Sequence, residues 1–312
     1  MKALLLRCTM TRNKFDQFSK EFLEELLSPL GTVEKSLEIL GTSRLVDLYF
    51  APAPQTETEP QMLGLLGRIA ATPCLLEPFR NPPTTTEVKD CLLKLLSVHA
   101  DLQRRTQRDD ANVSEAELPR LWILASSVSG NLLERFAATS NESWPSGIYG
   151  LGEALCTAIV AINQLPLTED TLWLRLLGKG LTQEQAISEV LAIPEGDPRR
   201  SRILQLLAGW KITLEINDPA DDEERGVLMV LSQAYLEWEK ETQERGIQQG
   251  IQSERRITLE NLFKARFGAI DESLTAILPK LVALSAEDYT QLLLELPRLS
   301  QDDVVKRFQN QP

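Results

Sequence analysis

At 312 residues and 43% hydrophobic content, the chain can bury one large core and a smaller satellite, because single cores stop growing near about 250–300 residues. A formal net charge of −12 argues against a protein that coats nucleic acid non-specifically, since that requires Lys and Arg to displace counterions from phosphates, although a local basic groove remains compatible with it. Cys8, Cys74, Cys91 and Cys156 form no Cys-x-x-Cys pair, and the apolar run in MKALLLRCTM is too short for a secretory leader or a membrane span, so a cytoplasmic protein without a membrane role is expected.

The first predicted element is an amphipathic helix over 15–27, FDQFSKEFLEELL, with Phe15, Phe18, Phe22, Leu26 and Leu27 at helical spacing. Met10 stands just before the segment that leads into it, which suggests Met10 as an alternative start residue. SPLG ends the helix. VEKSLEIL and RLVDLYF follow as short β-favouring runs with Gly41 between them, the pattern of a hairpin. APAPQTETEPQ reads as an exposed loop, MLGLLGRIA as a short helix, and TPCLLEPFRNPP as a third strand framed by prolines. A second amphipathic helix is predicted from Thr85 to Gln107, with Val88, Leu92, Leu95, Leu96 and Val98 as its apolar stripe, and then a buried strand, RLWILASSV.

SGIYGL, CTAIVAINQLP and TLWLRLLG suggest further strands, while LTQEQAISEVLAI and RRSRILQLLAGWKITLEI suggest helices. From Glu223 one long helical pattern begins, rich in Gln, Glu and Arg, with Gly246 and Gly250 on one face. Short helices with Ser285 as an N-cap close the chain. The expected architecture is α/β, a mixed sheet flanked by helices, with a long helix and a C-terminal helical module. The expected division is 10–222 for the main domain, 223–256 for a helical linker and 257–312 for the module.

The residue inventory removes most catalytic classes. A single histidine, His99, leaves little material for His-rich zinc sites, Ser-His-Asp triads or Cys-His pairs, and it reads as a packing or surface residue. GIYGLG and LGKGLT match neither the dinucleotide fingerprint nor the Walker pattern. Carboxylates in strands remain. Asp47 lies inside LVDLYF and Glu77 inside CLLEPFR, where acids are ordinarily depleted. Each taken alone reads as a residue on a solvated strand face. If the two strands are neighbours, the pair suits Mg²⁺, which takes oxygen ligands, retains waters and leaves room for a phosphate oxygen. Basic clusters at Lys89, Lys94, Arg104, Arg105 and Arg108, and at Arg199, Arg200 and Arg202, are candidates for a local groove, and each alone reads as a solvated face.

The order of helix with Glu21, strands VEKSLEIL, RLVDLYF and CLLEPFR, helix, and strand RLWILASS resembles the core of PD-(D/E)xK nucleases. More closely, FDQFSKEFLEELLSPLG, VDLYFAP, GLLGRIA, LLEPFRN, TLWLRLLGKG and RGIQQGIQSE resemble cyanobacterial proteins related to the recombination-promoting nuclease and transposase group, sometimes labelled flagellar assembly protein H. The segment from ITLENLFKARFGAI onward resembles a helical domain of unknown function joined to such proteins.

The resemblance implies a restriction-endonuclease-like core and a Mg²⁺-dependent DNA endonuclease linked to recombination or mobile elements. It implies that Asp47 and Glu77 hold the metal and that an acid of the first helix, Glu21 or its neighbour Glu25, orients a water or the ion. The motif lysine is missing two residues after Glu77, where Phe79 stands. Lys94 is the preferred substitute and Lys89 the second, and Arg80 is a further candidate for contacting the phosphate. The alternative reading is a catalytically degenerate nuclease fold acting as an interaction scaffold, with self-association or a protein partner engaged through residues 224–312. No coiled-coil heptad run or export signature supports a flagellar role.

Overall fold

The computed structural model describes residues 2–39, 45–54, 60–108, 118–194, 197–216 and 222–309, with the backbone alone at 2–14, 105–108, 198, 216, 222–223 and 309. The Gly41 turn, the centre of the 51–61 loop and the side chains of Arg105 and Arg108 lie outside the described residues. In chain order the elements are α1 (Lys2–Leu27), β1 (Gly31–Glu38), β2 (Leu45–Pro52), α2 (Gly64–Ile69), β3 (Cys74–Phe79), α3 (Thr85–Arg108), β4 (Arg120–Ala125) and α4 (Gly130–Arg135). There follow β5 (Thr139–Ser140), β6 (Ile148–Gly150), β7 (Thr157–Ala161), α5 (Leu172–Arg175), α6 (Leu181–Leu191), α7 (Pro198–Ile216), α8 (Asp222–Phe267), α9 (Glu272–Val282), α10 (Ala286–Glu295) and α11 (Gln301–Gln309).

Among the described residues the strands form one mixed sheet of seven, in the order β1-β2-β3-β4-β7-β6-β5. β1 and β2 pair antiparallel, as the predicted hairpin requires, and β2 continues antiparallel onto β3. β3 then pairs parallel with β4, and β4 with β7, so α3 is the crossover that a parallel β3–β4 pair needs. The sheet therefore changes from antiparallel to parallel at β3.

Alternation along the strands assigns their two faces. Leu48, Phe50, Leu76, Trp122, Leu124 and Val160 pack on one side with Phe18, Phe22 and Leu26 of α1 and with residues of α2 and α5–α7. Leu75, Leu121, Ile123 and Ile159 pack on the other with Val88, Cys91, Leu95 and Val98 of α3 and Leu132 of α4, and Val46 joins them although it stands two residues from Leu48, so β2 departs from regular alternation at Asp47. Strands covered on both faces explain the near-continuous apolar runs of β3, β4 and β7.

Three local expectations differ from what is found. TLWLRLLG is not a strand: Leu172, Trp173, Leu174 and Arg175 form a helical turn with all four side chains buried, and a short run buried on every side has no period that separates helix from strand. In α3 the inward stripe runs through Cys91, whereas Leu96 is 47% exposed. Arg200 does not belong to a solvated face: it is buried, with its guanidinium donating to the Leu191 carbonyl.

α2 is held close to the preceding turn by Gly67, where an added Cβ would come within 1.8 Å of the Pro60 carbonyl oxygen. Gly67→Ala should therefore destabilise the fold by about 1–3 kcal/mol, the usual cost of overpacking, despite alanine's better helix propensity. Urea denaturation checks this, and an unchanged midpoint would contradict it.

The chain divides into compact units at 1–238 and 239–312, inside the segment expected to be a linker. Val227, Leu231 and Ala234 of α8 are buried in the core of the first unit. The second has its own core, built on Leu259, Phe263, Leu274, Ile277, Leu281, Leu292, Val304 and Phe308. Ser285 caps α10 by accepting from the Asp288 N–H, as its sequence predicts. Among the described residues no helix is long and apolar enough to cross a membrane.

Candidate active site

In an antiparallel pair the amino end of one strand lies beside the carboxyl end of the other. Leu48 faces Leu76 and Phe50 faces Cys74, so Asp47 and Glu77 are the next residues beyond the paired end of β2 and β3. There the two acids come together, for the Asp47 N–H donates to Glu77 Oε1 at 3.2 Å. They line a cleft of about 530 Å³ together with Phe15 and Asp16 of α1, Pro78, Phe79, Arg80, Asn81 and Pro82 at the end of β3, and Glu87, Asp90, Cys91 and Lys94 of α3.

Each acid has an ammonium partner. Lys94 Nζ lies 2.7 Å from Glu77 Oε2, and Cys91, one helical turn earlier, places its Sγ 3.8 Å from the same oxygen. α3 thus supplies the cation that the strand position of Phe79 does not. Lys20 Nζ lies 3.0 Å from Asp47 Oδ1 and 2.8 Å from Asp16 Oδ2, so one ammonium bridges a helix acid and a strand acid. Glu77 is almost completely buried, with 2% of its side chain exposed, while Asp47 keeps 22%.

Burial, reinforced by the Asp47 charge, pushes the Glu77 carboxyl up to about 8 against the opposing pull of Lys94. Burial alone would lower Lys94, but the charge and hydrogen bond of Glu77 overcome it and hold the amine above its ordinary range. Glu77 and Lys94 thus each bear on the other's charge. Burial also opposes the charge on Lys20, yet the hydrogen bond to Asp16 and the nearby Asp47 carboxylate raise it. Asp16 is raised chiefly by burial. Burial, then the Glu77 charge, push the Cys91 thiol up, which leaves it a neutral packing group.

Asp47, Glu77 and Lys94 are thus brought together, and Glu21 is not. Glu21 hydrogen-bonds Gln17 and borders a separate hollow with Phe18, Gln205 and Trp210. Glu25 faces Arg202, at 3.3 Å. The helix acid that lines the cleft is Asp16. Lys89, exposed on α3, is not part of the cleft lining. Arg80 lines the cleft, but its Nη1 donates to the Gly178 carbonyl at 2.6 Å and to Gln183 Oε1 at 2.8 Å, and its guanidinium lies over Phe15 and Trp210. It ties the cleft wall to the turn before α6. His99 donates from Nε2–H to the Pro119 carbonyl, 2.8 Å away, and does not line the cleft.

Among the described residues no group of three or more His, Cys, Asp and Glu side chains is arranged to hold a metal. That arrangement does not fit a zinc site or a calcium cage, which take their ligands mainly from the protein. It does fit Mg²⁺, which uses one or two carboxylates and completes its shell with water and phosphate oxygens. Compared with protein-family models, curated proteins and solved structures, the chain matches none.

Proposed function

We propose that the cleft is the active site of a Mg²⁺-dependent endodeoxyribonuclease built on a restriction-endonuclease-like core of the PD-(D/E)xK type. The observation that carries this reading is the convergence of Asp47 and Glu77 from adjacent strands, with Lys94 at 2.7 Å from Glu77 in the same cleft. Asp47 and Glu77 would hold the ion. When bound, it supplies charge to offset the negative transition state of phosphodiester cleavage and lowers the pKa of a coordinated water.

The chain's own residues do the remaining work. With its pKa raised, Lys94 stays an ammonium at neutral pH, so it acts as a hydrogen-bond donor and fixed charge, not as a base. Glu77 orients it. Asp16, Asp47, Glu87 and Asp90 make the lining acidic, and the whole chain is acidic too. A DNA phosphate therefore gains entry only when cations offset that charge. The resemblance to the recombination-promoting nuclease group extends the reading to DNA processing in recombination or mobile elements.

The test is incubation of the purified full chain with supercoiled, linear duplex and single-stranded DNA, with Mg²⁺ and with chelator. Metal-dependent nicking is expected, and its absence on every substrate while a control nuclease cuts would overturn the proposal. One observation favours the second reading, a fold that has lost catalysis and serves as a scaffold: both acids are already neutralised by lysines. That reading predicts no cleavage, together with capture of a second copy or a partner by residues 224–312.

A further inference from the structure

Lys20 has no place in the nuclease pattern, and Asp16 is not the helix acid that the resemblance singles out, yet the two meet beside Asp47. The Lys20 side chain is 11% exposed, and its Nζ touches carboxylate oxygens on two different elements, Asp16 Oδ2 of α1 and Asp47 Oδ1 of β2. A lone ammonium withdrawn from water would be costly, and two partners offset that cost. The two partners are not equivalent. Asp16 is the i−4 neighbour on the same helix and stays within reach whatever β2 does, whereas Asp47 is an acid proposed to receive the metal.

We propose that Lys20 is a built-in counter-cation for Asp47, displaced from it by a divalent ion and then retained by Asp16, so that Lys20–Asp47 pairing and metal occupancy exclude one another. The inference rests on the metal-site reading above. Without metal, Asp47 and Glu77 stand side by side as acids, and Lys20 offsets one of them as Lys94 offsets the other. A divalent ion at Asp47 and an ammonium 3.0 Å from the same oxygen would repel strongly, and the flexible four-carbon stem of lysine lets the weaker cation leave. Asp16 makes that departure inexpensive, because Lys20 keeps one of its partners. Lys20 is then a positioning residue: it holds Asp47 while the site is empty and sets how much metal is needed to fill it.

Calorimetric titration of the full chain with Mg²⁺ tests this through binding, independently of cleavage. Lys20→Met should tighten Mg²⁺ binding by about tenfold or more, since a unit positive charge beside the ion is removed, whereas Lys20→Arg should retain wild-type affinity. Asp16→Asn should weaken binding severalfold, because Lys20 then has Asp47 as its main anchor. In the Lys20→Met background the same Asp16 change should alter affinity by less than about twofold, since Asp16 acts through Lys20 and is not itself a ligand.

Lysine acetylation read by mass spectrometry serves as a second measurement on the wild-type chain, free of folding effects. Labelling of Lys20 should rise when Mg²⁺ is added, and that of Lys35, paired with Glu24 at 2.6 Å, should not. Unchanged Lys20 labelling at saturating Mg²⁺, or no tighter binding by folded Lys20→Met, overturns the inference while leaving the metal site intact. A wild-type chain that binds no divalent ion overturns both.

Discussion

Asp47→Ala is expected to lower metal-dependent cleavage by about 10³-fold or more. A metal ion acting as Lewis acid contributes several kcal/mol to the transition state, and each factor of ten in rate corresponds to about 1.4 kcal/mol, so removing one of two protein ligands costs roughly 4 kcal/mol. The fold should survive. The Asp47 side chain is partly exposed, its backbone N–H still reaches Glu77 Oε1, and Lys20 retains Asp16. Single-turnover nicking rates at saturating Mg²⁺, with circular dichroism to verify folding, make the measurement. A rate within tenfold of wild type would remove Asp47 from the chemistry and place the cleavage elsewhere.

Lys94→Met is expected to cost stability in a pH-dependent way. Removing one member of a buried ion pair typically costs about 3–5 kcal/mol because the other is left as an uncompensated charge, and Glu77 has only 2% of its side chain exposed. Glu77 can escape by keeping its proton. Its folded pKa is already raised, to about 8, against an unfolded value of about 4.3. A carboxyl raised on folding contributes most at low pH and loses that contribution as pH climbs from the unfolded value through the folded one. Without Lys94 the folded value rises further, so the deficit of the variant should be small near pH 5 and largest above about pH 8. Urea denaturation at the two pH values tests this, and a deficit independent of pH would mean that Lys94 contributes by packing alone. Adding Glu77→Gln to Lys94→Met should remove most of the pH dependence.

Part of the candidate site was legible in the sequence. Asp47 and Glu77 stood out because acids are rare in apolar strand runs, and the framing prolines marked the ends of the third strand. Lys94 came from family resemblance, and its contact with Glu77 follows from α3 packing Val88, Cys91 and Leu95 on the same sheet face. In the first helix the sequence leaves open which acid reaches the strands. Periodicity identifies its buried side, through Phe15, Phe18 and Phe22, but not which shoulder of that side turns toward the strand ends. Asp16 and Lys20 share one shoulder, while Glu21 lies about 100° further round. The signal available was the i, i+4 acid–lysine pair bordering the apolar stripe, which reads as an ordinary surface pair until β2 is placed beside it. α4 and β5 escaped prediction because they are short, six and two residues, below the window in which a period can be counted.

Pro78, which directly follows Glu77, fixes one more property of the cleft. The Pro73 and Phe79 carbonyls accept from Arg120 and Ser126 N–H on the β4 side, so by alternation Pro78 turns its own backbone toward β2. A proline has no amide hydrogen to offer there. Another rung of the β2–β3 ladder at this place would lack the hydrogen bond that Pro78 cannot donate, and the paired residues end at Leu48 and Leu76. The ladder thus loses a donor beside the two carboxylates, a property written into covalent structure and independent of side-chain conformation.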